Sequence, residues 1–440
     1  MILKANGRLQ SCSCYSIDRI SRQYVSSTVT FTAIDRPPSA GPIQSKKIGK
    51  LKVPLLKSPS HFGHFTSRVS RMYNEDRYSA SILEFPNDRL VFNFNIFDGH
   101  GGDQCSTYLS THLSEAIEAG DLLISTKQDK ERNELMKNYW KNIGGYWKRW
   151  YKHRKDNFNS MINDKSRIKL KEIEDSKDDW NFRLPMTFLK TDYDFFLHDG
   201  DAGSTCTSAF IETIYSKESN QLTRSYYFNR GTISKLTIAH VGDTKAILVD
   251  RHGEAHALTQ AHHPSNPMES SRLRKYAAGF MTDSFGEERF VSLANTRAFG
   301  DVNFKQVGVS AEPDISEYII GDAEAVRKKL TPHEIESYTL AGLGGNESFL
   351  VLCSDGVTGE LTDQEIADIV MSNYNLRGNP RASAQLCAEE VVKFVEYIGG
   401  DDNATCLIIR LNGWGKWPEV DRTGELRQRR MDDYNPRSRG

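Results

Sequence analysis

Residues 91–102 read VFNFNIFDGHGG, and no other run constrains the chain as much. It opens as a strand. Phe92, Phe94 and Ile96 alternate with Asn93 and Asn95, so the apolar side chains share one face and the amides the other. The run stops at Asp98-Gly99-His100-Gly101-Gly102. At a period of two, Asp98 falls on the side of Phe92, Phe94 and Ile96, which sets a carboxylate at the mouth of an apolar layer. An unpaired buried carboxylate is costly, so such a group is paired, solvated or bound to a cation. Aspartate followed by glycine is also an ordinary turn, and recurrence is what separates the two readings.

The construction returns at residues 348–356, SFLVLCSDG, where Phe349, Val351 and Cys353 share a parity with Asp355. It returns at 236–243, LTIAHVGD, where Thr237, Ala239 and Val241 share a parity with Asp243. Asp401-Asp402-Asn403 precedes a strand over 405–411, and Glu75-Asp76 precedes one over 79–84. Strand-end acids so widely spaced in sequence suggest convergence on one site. Carboxylates with few Cys or His partners suit a hard cation such as Mg²⁺ or Mn²⁺.

Taken in order, the pieces are Arg71 with Glu75-Asp76, Asp98-Gly99-His100-Gly101-Gly102, Gly203-Ser204-Thr205, Val241-Gly242-Asp243, Arg297-Ala298-Phe299-Gly300-Asp301, Cys353-Ser354-Asp355-Gly356 and Asp402-Asn403. With these, residues 64–412 resemble the metal-dependent phosphatases of the protein phosphatase 2C type. The resemblance implies an α+β fold: a four-layer α-β-β-α sandwich, two antiparallel sheets flanked by helices, with a metal cleft at one end between the sheets. It implies hydrolysis of phosphoserine and phosphothreonine in proteins by a water held between two Mg²⁺ or Mn²⁺ ions per active site. Such ions sit about 3.5–4 Å apart, lower the pKa of the water and clamp phosphoryl oxygens.

The resemblance also assigns roles. Asp98 becomes the bridging carboxylate. The Gly99 carbonyl, Asp76, Asp355 and Asp402 complete the metal shell directly or through water, and Glu75 is a ligand or an acceptor behind it. Glycine at 99 brings a main-chain oxygen close without a side chain in the way. Arg71 stands where the family's phosphate-binding arginine stands, and a guanidinium can hold two phosphoryl oxygens; the alternative is a surface salt bridge. His100 donates a proton to the departing seryl or threonyl oxygen, or makes a structural hydrogen bond. Asp243 belongs to a third metal site, whose usual companion is an aspartate four residues after Asp355. That position is Gly359 here, with Glu360 beside it. No cysteine nucleophile is needed, and Cys353 reads as core.

Composition narrows the remaining choices. A formal net charge of −1 argues against a dedicated nucleic-acid binder. No apolar run approaches the length of a membrane span, so no stable membrane insertion is expected. The 7 cysteines include Cys12-x-Cys14 and otherwise stand alone, as reduced or buried thiols do. Residues 1–60 are basic and serine-rich, with only Asp18 and Asp35 acidic, and read as a mitochondrial transit segment with a linker at 37–42. The alternative is a disordered basic tail. The phosphatase domain is expected over 61–412, with a helical insertion at about 121–185 and a polar, loosely docked or disordered tail over 413–440. Trp140, Trp147, Trp150 and Trp180 of the insertion read as packing residues.

Other expectations are helices over 103–120, 268–278, 362–374 (a capping box, Thr362 with Glu365) and 382–397. Strands are expected over 203–213, 223–229, 235–241 and 245–250, a flexible segment over 279–288, and irregular chain over 313–348. Glu75-Asp76-Arg77, His263-Pro264 and the run from Arg297 to Lys305 resemble the mitochondrial pyruvate dehydrogenase phosphatases, which implies a mitochondrial phosphoprotein substrate. Nothing in the chain demands an oligomer, and a monomer is expected. Two other functions fit the same residues less well: a non-catalytic phosphoprotein-binding scaffold of this fold, and a hydrolase of small phosphoesters.

Overall fold

The computed structural model describes residues 28–33, 47–52, 61–85, 89–120, 129–143, 179–198, 201–217, 226–274, 280–282, 288–290, 293–378 and 382–434. In chain order the principal strands are β1 (Phe62–Ser67), β2 (Arg77–Phe85), β3 (Arg89–Phe97), β4 (Cys206–Ser216), β5 (Thr232–Val241), β6 (Lys245–Val249), β7 (Ala255–Ala257), β8 (Asp314–Gly321), β9 (Phe349–Cys353) and β10 (Ala404–Arg410). They form two five-stranded antiparallel sheets, ordered β7-β6-β9-β10-β1 and β8-β5-β4-β3-β2. The helices α1 (Gln104–Glu118), α2 (Asp129–Asn142), α3 (Asp179–His198), α4 (Asp363–Arg377), α5 (Ala384–Tyr397) and α6 (Gly424–Tyr434) lie outside them. The fold is the expected α-β-β-α sandwich.

Strand β3 shows how sequence sets the layers. Phe92, Phe94 and Ile96 enter the core between the sheets, with Leu350 and Leu352 of β9 and Leu407 and Ile409 of β10. Val91 and Phe97 face outward, against Leu109, Leu113 and Ile117 of α1 and Leu184 and Phe188 of α3. The outward face also carries Asn93 and Asn95, both fully buried. Each amide donates to the other's carbonyl oxygen, at 2.9 and 2.8 Å, and Asn95 Nδ2 also donates to Ser79 Oγ and Ser114 Oγ. The third core lies between the other sheet and α4 and α5, where Val351, Cys353 and Ile408 meet Ile366, Val370, Val391 and Val392.

Helix α1 spans most of the stretch expected for it, and Cys105, Leu109, Leu113 and Ile117 form its buried stripe. Helix α4 begins with the expected capping box: Thr362 Oγ1 accepts from Glu365 N, and Glu365 Oε2 accepts from Thr362 N at 2.9 Å. The helix near 268 is shorter than expected, Pro267–Leu273, and Asn266 caps it.

Several expectations are corrected. The stretch 313–348 is not irregular: it holds β8 and the helices Ala323–Lys329 and Pro332–Tyr338, capped by Asp322 and Thr331. Strand β8 is an edge strand whose first six residues are only partly covered, so its apolar alternation is weak. Of the strand expected over 223–229, residues 223–225 lie outside the described residues, residues 227–230 turn, and Tyr226 and Tyr227 set their rings edge-on to Phe92. Within 279–288, Phe280–Thr282 pairs with Glu288–Phe290 as a short ribbon. The segment after Asn412 is docked rather than loose. Trp414 and Trp417 pack edge-on to Phe349 and Tyr374, and Arg427 of α6 bonds Asp421 at 2.6 Å.

Helix α3 begins inside the expected insertion but runs on to His198 as part of the outer layer, with Trp180 tilted against Phe210. Trp147 and Trp150 lie outside the described residues. Thr28–Ala33 pairs with Lys47–Lys52. The linker at 37–42 and Cys12 and Cys14 lie outside the described residues, while Cys105, Cys206, Cys353, Cys387 and Cys406 are free and buried. Among the described residues no helix is long and apolar enough to cross a membrane.

The Asn93–Asn95 pair yields a test of the outer interface. Asn95→Ala strands buried polar partners and is expected to cost about 1–3 kcal/mol of stability, read as a lower urea midpoint with an unchanged slope. An unaltered midpoint would show that the network contributes nothing to stability.

Candidate active site

Both sheets run out at the same end of the sandwich, and the chain delivers an acid there from each of three strands. Asp98 follows β3, Asp243 follows β5 one glycine later, and Asp355 opens the short helix Asp355–Thr358 after β9. Oxygens of the three carboxylates lie within 4.8 Å of one another. The strand-parity argument holds for Phe92, Phe94 and Ile96 but does not reach Asp243 or Asp355. Ala239 and Val241 face the outer helices, as do Phe349, Val351 and Cys353. The backbone leaves the strand conformation before each acid: Gly242 takes a φ of 99°, and Asp355 is helical. What brings the acids together is where the strands end.

Asp76 stands behind this group, buried. Its Oδ2 accepts from Ser354 Oγ at 2.8 Å and Thr405 Oγ1 at 2.6 Å, and its Oδ1 has no partner. Burial first, and then the charges of Asp355 and Asp402, push its carboxyl up to about 7 despite those hydroxyls. Burial and Asp355 likewise push Asp243 up to about 7, opposed by Asn295 Nδ2, which donates to Asp243 Oδ2 at 2.9 Å. Asp243 Oδ1 is left without a partner. Asp98 is held well above the usual carboxylate range by burial and by Asp355, Asp76 and Asp243. Asp355 is raised as well, chiefly by burial.

Three two-residue strands make a shelf beside the acids: Gly99–His100 pairs with Gly203–Ser204, which pairs with Phe299–Gly300. A Cβ is crowded at all three glycines of the shelf, and at Gly300 it would lie 2.0 Å from the Ala202 carbonyl oxygen. A Cβ on Gly99 would lie 2.5 Å from the Glu75 carbonyl oxygen, and one on Gly203 would lie 2.2 Å from His100 Nε2. His100 Nε2 bonds Asp301 Oδ2 at 2.8 Å. Burial opposes a charge on His100, but the hydrogen bond and charge of Asp301 outweigh it and raise its pKa. Asp301 itself sits at a φ of 49°, in the left-handed region that non-glycine residues rarely adopt.

The turn bearing Asp301 is tied to helix α3. Lys305 Nζ lies 3.0 Å from Asp192 Oδ2, both side chains being buried, and donates to the Ala298 carbonyl at 2.7 Å. Asp192 accepts from Gly300 N at 2.8 Å and from the Tyr139 hydroxyl at 2.6 Å.

Arg71 lies at the rim and is about half exposed. Its NH2 donates to Asp402 Oδ2 at 2.7 Å and its Nε to the Asp401 carbonyl at 3.0 Å. Asn403 holds the loop before β2: its Oδ1 accepts from Glu75 N, and its Nδ2 donates to the Arg68 and Tyr73 carbonyls. Of the residues singled out from sequence, Asp98, Asp243 and Asp355 form the tight cluster. Asp76 and Asp402 flank it through their fields, and Glu75 reaches the site by its main chain and by its charge on His100. Gly359 brings no carboxylate, and the Glu360 side chain lies against Gly400 instead.

Sequence reasoning assigned no role to Asp301, Asn295, Ser354, Thr405, Asn403 or Asp192. Asp301, Ser354 and Asn403 lay within quoted motifs, which was the signal available. The others are set by contacts between residues remote in sequence.

The donor set fits a hard divalent ion. Every candidate ligand is an oxygen, Asp76 Oδ1 and Asp243 Oδ1 are buried without partners, and Asp98, Asp243 and Asp355 crowd one point. Fold and acid cluster together define a hydrolase of the metal-dependent phosphatase class. Residues 62–326 match the family model described as Protein phosphatase 2C. The chain is 33% identical over 413 residues to Protein phosphatase 2C homolog 4 of Schizosaccharomyces pombe, covering 91% of each chain. It is 33% identical over 184 residues, 41% of each, to Protein phosphatase 1K, mitochondrial, of Xenopus laevis. A phosphatase from a pathogenic strain of Toxoplasma gondii shares the fold, with a TM-score of 0.51 at 17% identity over 81% of this chain and 94% of that one. The chain therefore belongs to the protein phosphatase 2C family, and it is a protein serine/threonine phosphatase of a metal-dependent kind.

The crowding of acids gives a pH test. A carboxyl whose pKa is about 7 when folded, and about 3.9 when unfolded, disfavours the fold while ionised. That penalty fades as pH falls through 7 towards the unfolded value. In protein stripped of divalent ions, the contribution of these acids to stability therefore rises from pH 8 to pH 5.5. Added Mg²⁺ is expected to raise the melting midpoint most at pH 8 and to flatten the profile. Equal midpoints with Mg²⁺ and with chelator at pH 8 would count against ion binding at this cluster.

Proposed function

We propose that the chain hydrolyses phosphoserine and phosphothreonine in mitochondrial phosphoproteins, pyruvate dehydrogenase among them, using two Mg²⁺ or Mn²⁺ ions held at the end of the sandwich. The observation that carries the reading is the meeting of Asp98, Asp243 and Asp355 within 4.8 Å, with Asp76 behind them. Asp98, whose carboxyl feels Asp355, Asp76 and Asp243, would be the ligand shared by the ions, while the Gly99 carbonyl, Asp76, Asp355 and Asp402 would supply the remaining oxygens and Glu75 would support them. Ions bound there lower the pKa of a shared water and offset the charge on the phosphoryl oxygens.

The side chains do the rest. Arg71 turns from Asp402 to the phosphoryl group, which a guanidinium grips through two oxygens. His100 carries the proton to the departing seryl or threonyl oxygen, and Asp301 holds its ring and favours its protonated form. Asp243, anchored by Asn295, faces a third cation at most weakly, because Gly359 supplies no second acid.

The proposed catalytic domain covers 61–412. The basic residues 1–60 and the mitochondrial name of one relative favour a mitochondrial site of action, with that segment as the address.

Phosphate release from a phosphothreonine peptide tests the reaction. Activity is expected to vanish with EDTA and return with Mg²⁺ or Mn²⁺. Asp98→Ala is expected to remove nearly all of it, and His100→Asn to lower kcat by about 10²–10⁴. Full activity of Asp98→Ala would remove the bridging role. A fluorescent protein fused behind residues 1–60 is expected in mitochondria; a cytosolic signal would withdraw the proposed address.

A further inference from the structure

The loop between β1 and β2 is held down almost everywhere. Val69 takes a φ of 47°, a costly conformation for a β-branched residue that persists only where its surroundings impose it. Ser70 Oγ donates to the Asp401 carbonyl, and Arg71 is bonded to Asp401 and Asp402. Asn74 Nδ2 donates to Thr66 Oγ1 at 2.8 Å, and Asn74 Oδ1 accepts from Asp76 N. Asn403 fastens the main chain at Arg68, Tyr73 and Glu75. Between the bonded side chains of Arg71 and Asn74 stand Met72 and Tyr73, 79% and 74% exposed.

Two large apolar side chains on a pinned backbone are a surface rather than a fraying loop. Their backbone is already ordered by the loop, so a partner that covers them gives up side-chain rotamer freedom but little backbone entropy. Position decides which partner. The pair directly follows Arg71, and Glu75 and Asp76 come two residues later, so the phosphorylated residue of a substrate enters beside it. The polypeptide on either side of that residue must cross the rim.

We propose that Met72 and Tyr73 form an apolar ledge that grips the substrate chain next to its phosphorylated residue and selects substrates with an apolar neighbour there. The ledge is a specificity determinant and takes no part in the chemistry. The proposal rests on the phosphatase reading above.

The test uses the full chain with Mn²⁺ and three substrates: p-nitrophenyl phosphate, a phosphothreonine peptide with leucine on both sides of the phosphoresidue, and the same peptide with glycine there. The wild-type chain is expected to prefer the leucine peptide. In the double variant Met72→Ala, Tyr73→Ala, kcat/KM for that peptide should fall about tenfold, the scale of a few methylenes of apolar contact, and mainly through KM. Hydrolysis of p-nitrophenyl phosphate and of the glycine peptide should stay within about twofold. Met72→Leu, Tyr73→Phe should keep the preference. A wild-type chain indifferent to leucine and glycine, or a double alanine variant that keeps the preference, would overturn the ledge. Equal loss on all three substrates would also overturn it, as damage to the site. A folded wild-type chain inactive on every substrate would overturn the phosphatase reading, and the ledge with it.

Discussion

Repulsion among carboxylates is the interaction around which the sandwich is arranged. Two unit charges 4 Å apart repel by about 4 kcal/mol at an effective dielectric of 20, and here oxygens of Asp98, Asp243 and Asp355 meet within 4.8 Å, with Asp76 buried behind them. Packing has to hold the acids in place against this force. Two sheets with fully buried central strands do so, because each acid follows a strand whose other residues are locked into one of the apolar layers. Hydroxyls and amides then take part of the load: Ser354 and Thr405 on Asp76, Asn295 on Asp243. They leave Asp76 Oδ1 and Asp243 Oδ1 without a protein partner, open to a cation.

The same arrangement explains the glycines of the shelf. A metal-dependent hydrolase needs main-chain atoms near its acids, and main chain approaches main chain only where no Cβ intervenes. Gly99 lies against the Glu75 carbonyl and Gly203 under His100, so the acid cluster, the His100 imidazole and the loop of Arg71 are brought together over bare backbone. Asn403 closes the other side by gathering three points of that loop.

Most of the acid cluster was legible in the sequence because each member sits in a short local pattern, an apolar run broken by Asp and Gly. The layer order came from the family resemblance, since the run 91–97 alone shows one apolar face and gives no sign that Asn93 and Asn95 are buried as well. The inferred direction of Asp243 and Asp355 was not legible, since strand parity has no force once Gly242 turns or a helix begins at Asp355. Partners such as Asp301 for His100, 201 residues apart, depend on the folded topology and on an unusual left-handed backbone. Edge strand β8 was hidden by its half-exposed residues. The docked segment after Asn412 was hidden by its charges, because Trp414 and Trp417 anchor it while its arginines look like solvated surface.

Asp192 and Lys305 carry this logic beyond the cleft. The pair is enclosed, joins helix α3 to the turn of Asp301, and shares its bonds with Gly300, Ala298 and Tyr139. Losing one member of such a pair strands the other charge in the interior, at about 3–5 kcal/mol, whereas exchanging both for apolar residues strands no charge and leaves only the neutral partners Gly300 N, the Tyr139 hydroxyl and the Ala298 carbonyl to be satisfied, at about 1–3 kcal/mol each. A lineage descending from this chain can therefore rewrite positions 192 and 305 together far more readily than one after the other. Helix α3 thus inherits its freedom to vary from the turn that holds the His100 ring.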